Sequence, residues 1–303
     1  MRMVLSRRGV ALGAALALAA VPAAAACGNE AGGSEDGDRP HVVATTGIWA
    51  DIVGMVACDG SFAVDALVPS GADPHGYEPS LRDRETLDEA ALVVANGGGL
   101  EELLDDTLDD VEAGGTPVVR MTELMAGDGG DRHVWFDPTK VAAALPALGD
   151  ALVDAGADPA ATDRCVADAG ATLTALDIDV EATLAAVPAD RRILVTNHDS
   201  MGTFADRYGF EVLGSVLPSS STLTEASAGD LTALGEEIVA AGVPAIFTES
   251  LHAGVDADAL GDRLGVEVVE LYTDALGEPG SGAENYPALL RTDAERIATA
   301  LGG

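Results

Sequence analysis

Positive charge is scarce in this sequence. Lysine occurs once, at Lys140, and Lys plus Arg total 16 against 51 Asp plus Glu, a formal net charge of −35 over 303 residues. A chain this acidic repels phosphate, so a nucleic-acid partner is excluded. Aromatic residues are few, at 4%, which leaves little to line a pocket for an organic ligand. Cysteine is rarer still, with three residues, Cys27, Cys58 and Cys165. What the sequence has in quantity is apolar residue, 48% of the chain and set in periodic blocks. That excludes intrinsic disorder, and the length suits a two-lobed globular protein.

Residues 1–26 read as a secretory signal. Arg2, Arg7 and Arg8 form a positive start, an apolar stretch runs from Gly9 to Ala26, and small residues lead into Cys27. The competing interpretation is one membrane-spanning helix, since the apolar stretch is nearly long enough. Arg7-Arg8 also has a twin-arginine look, so the export route stays open between the two bacterial systems. Ala24-Ala25-Ala26-Cys27 resembles a bacterial lipobox, with Cys27 the expected lipid attachment site. Residues 27–40 are a Gly- and Asp-rich tether unable to bury a core. Outside the cytoplasm the two remaining cysteines, Cys58 and Cys165, either pair as a disulfide or stay as separate buried thiols.

From residue 41 onward short apolar runs alternate with amphipathic stretches, which predicts βα units and an α/β fold of mainly parallel sheets. The first lobe, 41–157, has expected strands at His41–Thr46, Phe62–Val68, Leu92–Asn96 and Pro117–Arg120. The second, 189–303, has them at Ile193–Thr196, Glu211–Ser215, Ala245–Thr248 and Val266–Leu271. Between the lobes, 158–188 reads as one long helix. Cys165, Ala169, Leu173, Leu176, Val180 and Leu184 recur there at steps of three and four, and Asp158-Pro159 supplies an N-cap and first-turn proline. A continuous helix is a stiff connector, so little closure between lobes is expected.

Histidine is scarce enough to weigh residue by residue, with five in all. His75, His133 and His198 each follow an expected strand, and Asp274 follows the last one. Ligands of open α/β sheets collect beyond the carboxyl ends of the strands. Three imidazoles and a carboxylate in such places suit a divalent transition metal in the cleft between the lobes. Taken singly, each histidine is equally well a cap or surface residue. His41 reads as ordinary, His252 as a weaker candidate, and Glu249 as a group that orients a ligand from behind. Asn96-Gly97-Gly98-Gly99 lacks the spacing and the lysine of a phosphate loop and reads as a tight turn.

The ordered set of Gly71-Ala72-Asp73-Pro74-His75, Ala95-Asn96-Gly97 with Leu100-Glu101, His133-Val134-Trp135-Phe136-Asp137-Pro138, Thr196-Asn197-His198-Asp199, Phe247-Thr248-Glu249-Ser250 and Tyr272-Thr273-Asp274-Ala275-Leu276-Gly277 resembles the substrate-binding lipoproteins of bacterial zinc and manganese ABC transporters. The resemblance runs from about Val42 to Leu301. It implies that His75, His133, His198 and Asp274 are the metal ligands, between two lobes joined by a rigid helix. It further implies no enzymatic turnover, a monomer tethered outside the cytoplasm by lipid, delivery of the metal to a membrane permease, and, in some members, a role in cell adhesion. The His-rich loop of many zinc-specific members is missing from Ala126–Arg132. The imidazole at His198, where manganese members often carry Glu, favours Zn2+ over Mn2+ because manganese prefers oxygen donors. A zinc hydrolase built on the same cluster is the competing class; it needs an open coordination position and a base such as Asp199 or Glu249.

Overall fold

The strands with the most continuous apolar runs take the middle of two sheets. The structure, a computed structural model, describes residues 39–125, 131–251 and 255–302. The expected signal segment, Cys27, all but the end of the tether, most of the loop before His133, and His252 lie outside them. In the first sheet β1 (His41–Ala44) and β3 (Leu92–Ala95) are almost wholly buried, while β2 (Ala63–Ala66) and β4 (Val118–Arg120) are more exposed. The order is β2-β1-β3-β4, all parallel, so Val-rich strands without alternation sit where both faces are covered.

The second sheet repeats the plan. Its order is β6-β5-β7-β8, again all parallel, built from β5 (Ile193–Thr196), β6 (Glu211–Ser215), β7 (Ala245–Glu249) and β8 (Glu267–Leu271). Each order reverses direction next to its first strand, and such switch points leave a crevice at the carboxyl ends. The helices of the first lobe are α1 (Gly47–Val56), α2 (Leu81–Asp88), α3 (Asp105–Gly114), α4 (Met121–Leu124) and α5 (Pro138–Asp154). The linking helix is α6 (Pro159–Leu184), followed by α7 (Gly202–Tyr208), α8 (Ala228–Ala241), α9 (Val255–Leu264) and α10 (Tyr286–Gly302).

Helix α6 begins as its sequence dictates, with Asp158 Oδ1 accepting from the Ala161 N–H at 2.8 Å and Pro159 in the first turn. Its 26 residues span about 39 Å. The buried stripe from Cys165 to Leu184 packs against α1 and α5 of the first lobe and α10 of the second. The contact with α5 is close: a Cβ on Gly149 would lie 2.8 Å from Val166 Cγ2. Cys58, just past α1, is disulfide-bonded to Cys165, with their Cα atoms 5.7 Å apart. Beneath α6, Trp49, Trp135, Leu173, Phe204, Phe247 and Tyr286 belong to one apolar core running through both lobes. Smaller cores lie within each lobe, and residues 38–303 form a single compact unit.

Helix α3 starts only at Asp105, although Leu100, Leu104 and Leu108 keep a helical spacing from Leu100 onward. Gly97, Gly98 and Gly99 all adopt positive φ (75°, 64° and 77°), a run that only glycine tolerates without strain. The Glu101 carboxylate then folds back to cap this turn, which delays the helix. No helix among the described residues is long and apolar enough to cross a membrane.

Candidate metal centre

His75, His133, His198 and Asp274 converge. Each is buried, and one donor atom from each lies within 4.8 Å of the others. His75 sits in the loop after β2 and His133 just before a 3-10 turn at Val134–Phe136. His198 and Asp274 follow β5 and β8. Two donors therefore come from each lobe. Among the described residues this is the one such cluster.

Two of the rings are aimed by carboxylates. His133 Nδ1 lies 2.9 Å from Asp131 Oδ1, and His198 Nδ1 is bonded to Glu249 Oε1. Glu249 is itself buried and also accepts from Asn197 Nδ2 at 3.4 Å. With both Nδ1 atoms engaged, the two Nε2 atoms face each other at 3.0 Å. Two lone pairs that close repel unless a cation, proton or metal, lies between them. Asp274 adds Oδ1 at 3.3 Å from His133 Nε2 and Oδ2 at 3.7 Å from His198 Nε2.

His75 differs. Both its ring nitrogens are buried without a hydrogen-bond partner, and Asp274 Oδ1 has none either. Buried polar atoms are rarely left so, because each costs its lost hydration. One ring nitrogen of His75 lies within 4.8 Å of the other donors, a placement that fits a bound cation. The ring is placed by its backbone: Asp73 Oδ1 accepts from the His75 N–H at 2.9 Å.

Electrostatics separates the donors. Burial pushes the His75 imidazolium down to about 4, so the ring is neutral at physiological pH. At His133 burial also disfavours charge, but the Asp131 and Asp274 carboxylates outweigh it and hold the ring up at about 10. Burial would raise the Asp274 carboxyl, yet His133 and His198 keep it below the ordinary carboxylate range.

The cluster is tied down from both sides. The Trp135 indole N–H donates to Thr273 O at 3.1 Å, and the Tyr286 hydroxyl donates to Trp135 O at 2.5 Å. The residue two past His133 is thereby bonded twice to the opposite lobe. Behind it, Glu101 accepts from Thr45 Oγ1 (2.5 Å), Asn96 N (2.8 Å) and Gly97 N (3.1 Å). Asn96 in turn donates to Arg132 O at 2.8 Å and accepts from Trp49 Nε1 at 3.0 Å. Sequence reading placed Asn96 and Glu101 in a motif without seeing that they set the backbone before His133. It missed Asp131 as a partner of His133, although an acid two residues before a candidate histidine is a readable signal. It also missed Thr222, whose hydroxyl donates to Asp73 Oδ2 from the other lobe and leaves no local pattern. His41 takes no part, its Nδ1 lying 2.7 Å from exposed Asp65 Oδ2.

Two parallel-sheet α/β lobes with three imidazoles and one carboxylate gathered between them define a metal-binding solute-binding protein. The chain belongs to the family described as zinc-uptake complex component A, periplasmic, which it matches over residues 42–300. It is 34% identical over 279 residues to the zinc-binding protein TroA of Treponema pallidum, covering 87% of this chain and 89% of that protein. It is 29% identical over 287 residues to the manganese-binding lipoprotein MntA of Halalkalibacterium halodurans, covering 92% and 94%. The solved structure of the Treponema pallidum periplasmic zinc-binding protein superposes with a TM-score of 0.80 at 32% identity, covering 87% of this chain and 99% of that one. Further relatives are named as metal or manganese ABC transporter substrate-binding lipoproteins, and none of these relatives is named as an enzyme. Nothing in the matches supports the hydrolase considered from sequence.

Proposed function

We propose that the protein captures one divalent transition metal with His75, His133, His198 and Asp274, and that the metal is zinc. The observation that carries this reading is the convergence of four buried donors, with the ring nitrogens of His75 buried and without a hydrogen-bond partner. Three imidazoles and one oxygen suit Zn2+, whereas Mn2+ prefers a site richer in oxygen. In tetrahedral zinc, nitrogens at about 2.0–2.1 Å lie roughly 3.3 Å apart, and the His133–His198 separation of 3.0 Å is near that. Relatives named for zinc and for manganese are both similar to this chain, so the donor chemistry is what favours zinc.

The mature chain works outside the cytoplasm as a monomer, anchored through lipid on Cys27, and hands its metal to the permease of an ABC transporter. The lobes fall at 41–157 and 189–303 with 158–188 between them. Elemental analysis of the purified protein, then competitive titration of chelator-stripped protein with zinc and manganese, tests the reading. Saturation by one equivalent of zinc, at higher affinity than manganese, is the expected result. Tighter manganese binding overturns the choice of metal. A melting temperature moved by neither metal overturns the site, since any ligand of the folded state stabilises it by mass action. His198→Ala should abolish tight binding and His252→Ala should not.

A further inference from the structure

Asp131 makes three bonds with two oxygens. Oδ1 accepts from the His133 backbone N–H and lies against His133 Nδ1, both at 2.9 Å. Oδ2 accepts from the Thr203 N–H at 2.6 Å. Thr203 stands in the first turn of α7, in the second lobe, close behind the loop that carries His198. The carboxylate is therefore fixed to a helix N-terminus of one lobe while it aims a ring belonging to the other. Glu249 differs, because it and His198 both come from the second lobe.

The neighbouring glycine makes room for this. A Cβ on Gly202 would lie 3.1 Å from Asp131 Oδ2 and 3.6 Å from its Cγ. Gly202 does not have a positive φ, so its backbone accepts alanine without strain. The space a methyl group would fill is taken by the Asp131 carboxylate.

We infer that Asp131 is a positioning residue for the metal, holding His133 Nε2 toward the other donors by bracing its ring against α7, and that Gly202 serves to admit that carboxylate. The inference rests on the metal-binding reading above. A carboxylate on the far nitrogen fixes the ring's tautomer and orientation, and its loss lowers metal affinity by roughly 10- to 100-fold in sites of this kind. Here the same loss also frees the ring from the opposite lobe.

The test is zinc affinity by chelator competition on the stripped protein, with Asp131→Ala, Asp131→Asn, Gly202→Ala and the double variant Asp131→Ala/Gly202→Ala. The visible absorption of bound Co2+ is read in parallel, because it reports donor geometry and not fold stability. Asp131→Ala is expected to bind zinc roughly 10- to 100-fold more weakly, with an altered Co2+ spectrum, and Asp131→Asn to fall between it and the parent. Gly202→Ala should weaken binding in the parent and add nothing once Asp131 is alanine. Zinc affinity within about two-fold of the parent in both Asp131 variants overturns the inference, two-fold being well under the loss expected. An equal penalty from Gly202→Ala in both backgrounds overturns it too. Should Asp131→Ala not fold, Asp131→Ser, alone and combined with Gly202→Ala, decides the same point, because serine also vacates the space beside Gly202. A parent protein that binds neither metal removes the underlying reading instead, which keeps the two failures apart.

Discussion

The Thr222 hydroxyl donates to Asp73 Oδ2 at 2.5 Å, across 149 positions of sequence. Asp73 also holds the backbone of His75, so a loop of the second lobe fastens the loop of the first that carries this histidine. A hydrogen bond to a charged acceptor contributes about 1.5–3 kcal/mol. Thr222→Val should therefore let the His75 loop open more often, speeding zinc release by roughly tenfold or more. Stopped-flow transfer to a chelator measures this; an unchanged release rate would show that the loop is held elsewhere.

His75 carries two unpaired buried nitrogens when no metal is bound. An unsatisfied buried group costs about 1–3 kcal/mol, and an apolar residue of similar size does not incur it. His75→Leu is expected to raise the melting temperature of the stripped protein by several degrees, while the further rise on adding zinc disappears. A stripped variant less stable than its parent would mean that the ring is already satisfied.

Asp293 on α10 is fully buried. Its Oδ1 accepts from the Tyr272 N–H at 3.0 Å and its Oδ2 has no partner. Burial drives its carboxyl well above the usual range, with the Tyr272 bond and Arg296 opposing and Glu270 reinforcing the rise. A carboxyl raised in the folded state keeps a proton that the unfolded chain gives up near pH 4. Its contribution to stability is complete below that pH and is lost as pH climbs toward the folded value. Glu101 and Asp51, both also raised by burial, act in the same direction. Asp293→Asn should thus be more stable than the parent at pH 7–8 and show a shallower decline from pH 4 upward in urea titrations. A pH profile identical to the parent's would refute the shift.

The Cys58–Cys165 bond closes a loop of sequence separation 107 at the far end of α1 from the cleft. Removing such a bond costs about 2–4 kcal/mol. The Cys58→Ala/Cys165→Ala double variant should melt well below the parent yet titrate with zinc at nearly the same affinity. A large loss of affinity would place the cross-link in control of the donors, roughly 15 Å away along α1.

Most of the scaffold could be read in advance because local rules and tertiary demand agree. Val42, Val43 and Val93 form strands needed in the buried middle of a sheet, and Asp158-Pro159 caps a helix whose stripe really is covered. The start of helix α3 is not legible, because Leu100 and Leu104 keep a helical spacing while the Glu101 side chain is bonded back to Asn96 and Gly97. The donors were legible as scarce histidines after strands, helped by their resemblance to a known family. Their supports were less so. Asp131, Asn96 and Thr222 act on partners 72, 36 and 149 positions away, a distance that no periodicity encodes.

The apolar core under α6 does not stop at the boundary between lobes, and this bears on how the protein comes apart. Trp49 from α1, Leu173 from α6 and Phe247 from β7 share one buried cluster, so neither lobe can melt and leave the other a complete core. Unfolding should be a single cooperative transition, with one calorimetric peak. Since each lobe supplies two of the four donors, no populated half-folded species would retain even a weakened site. The cargo would leave only through local opening of the loops above it or through collapse of the whole molecule.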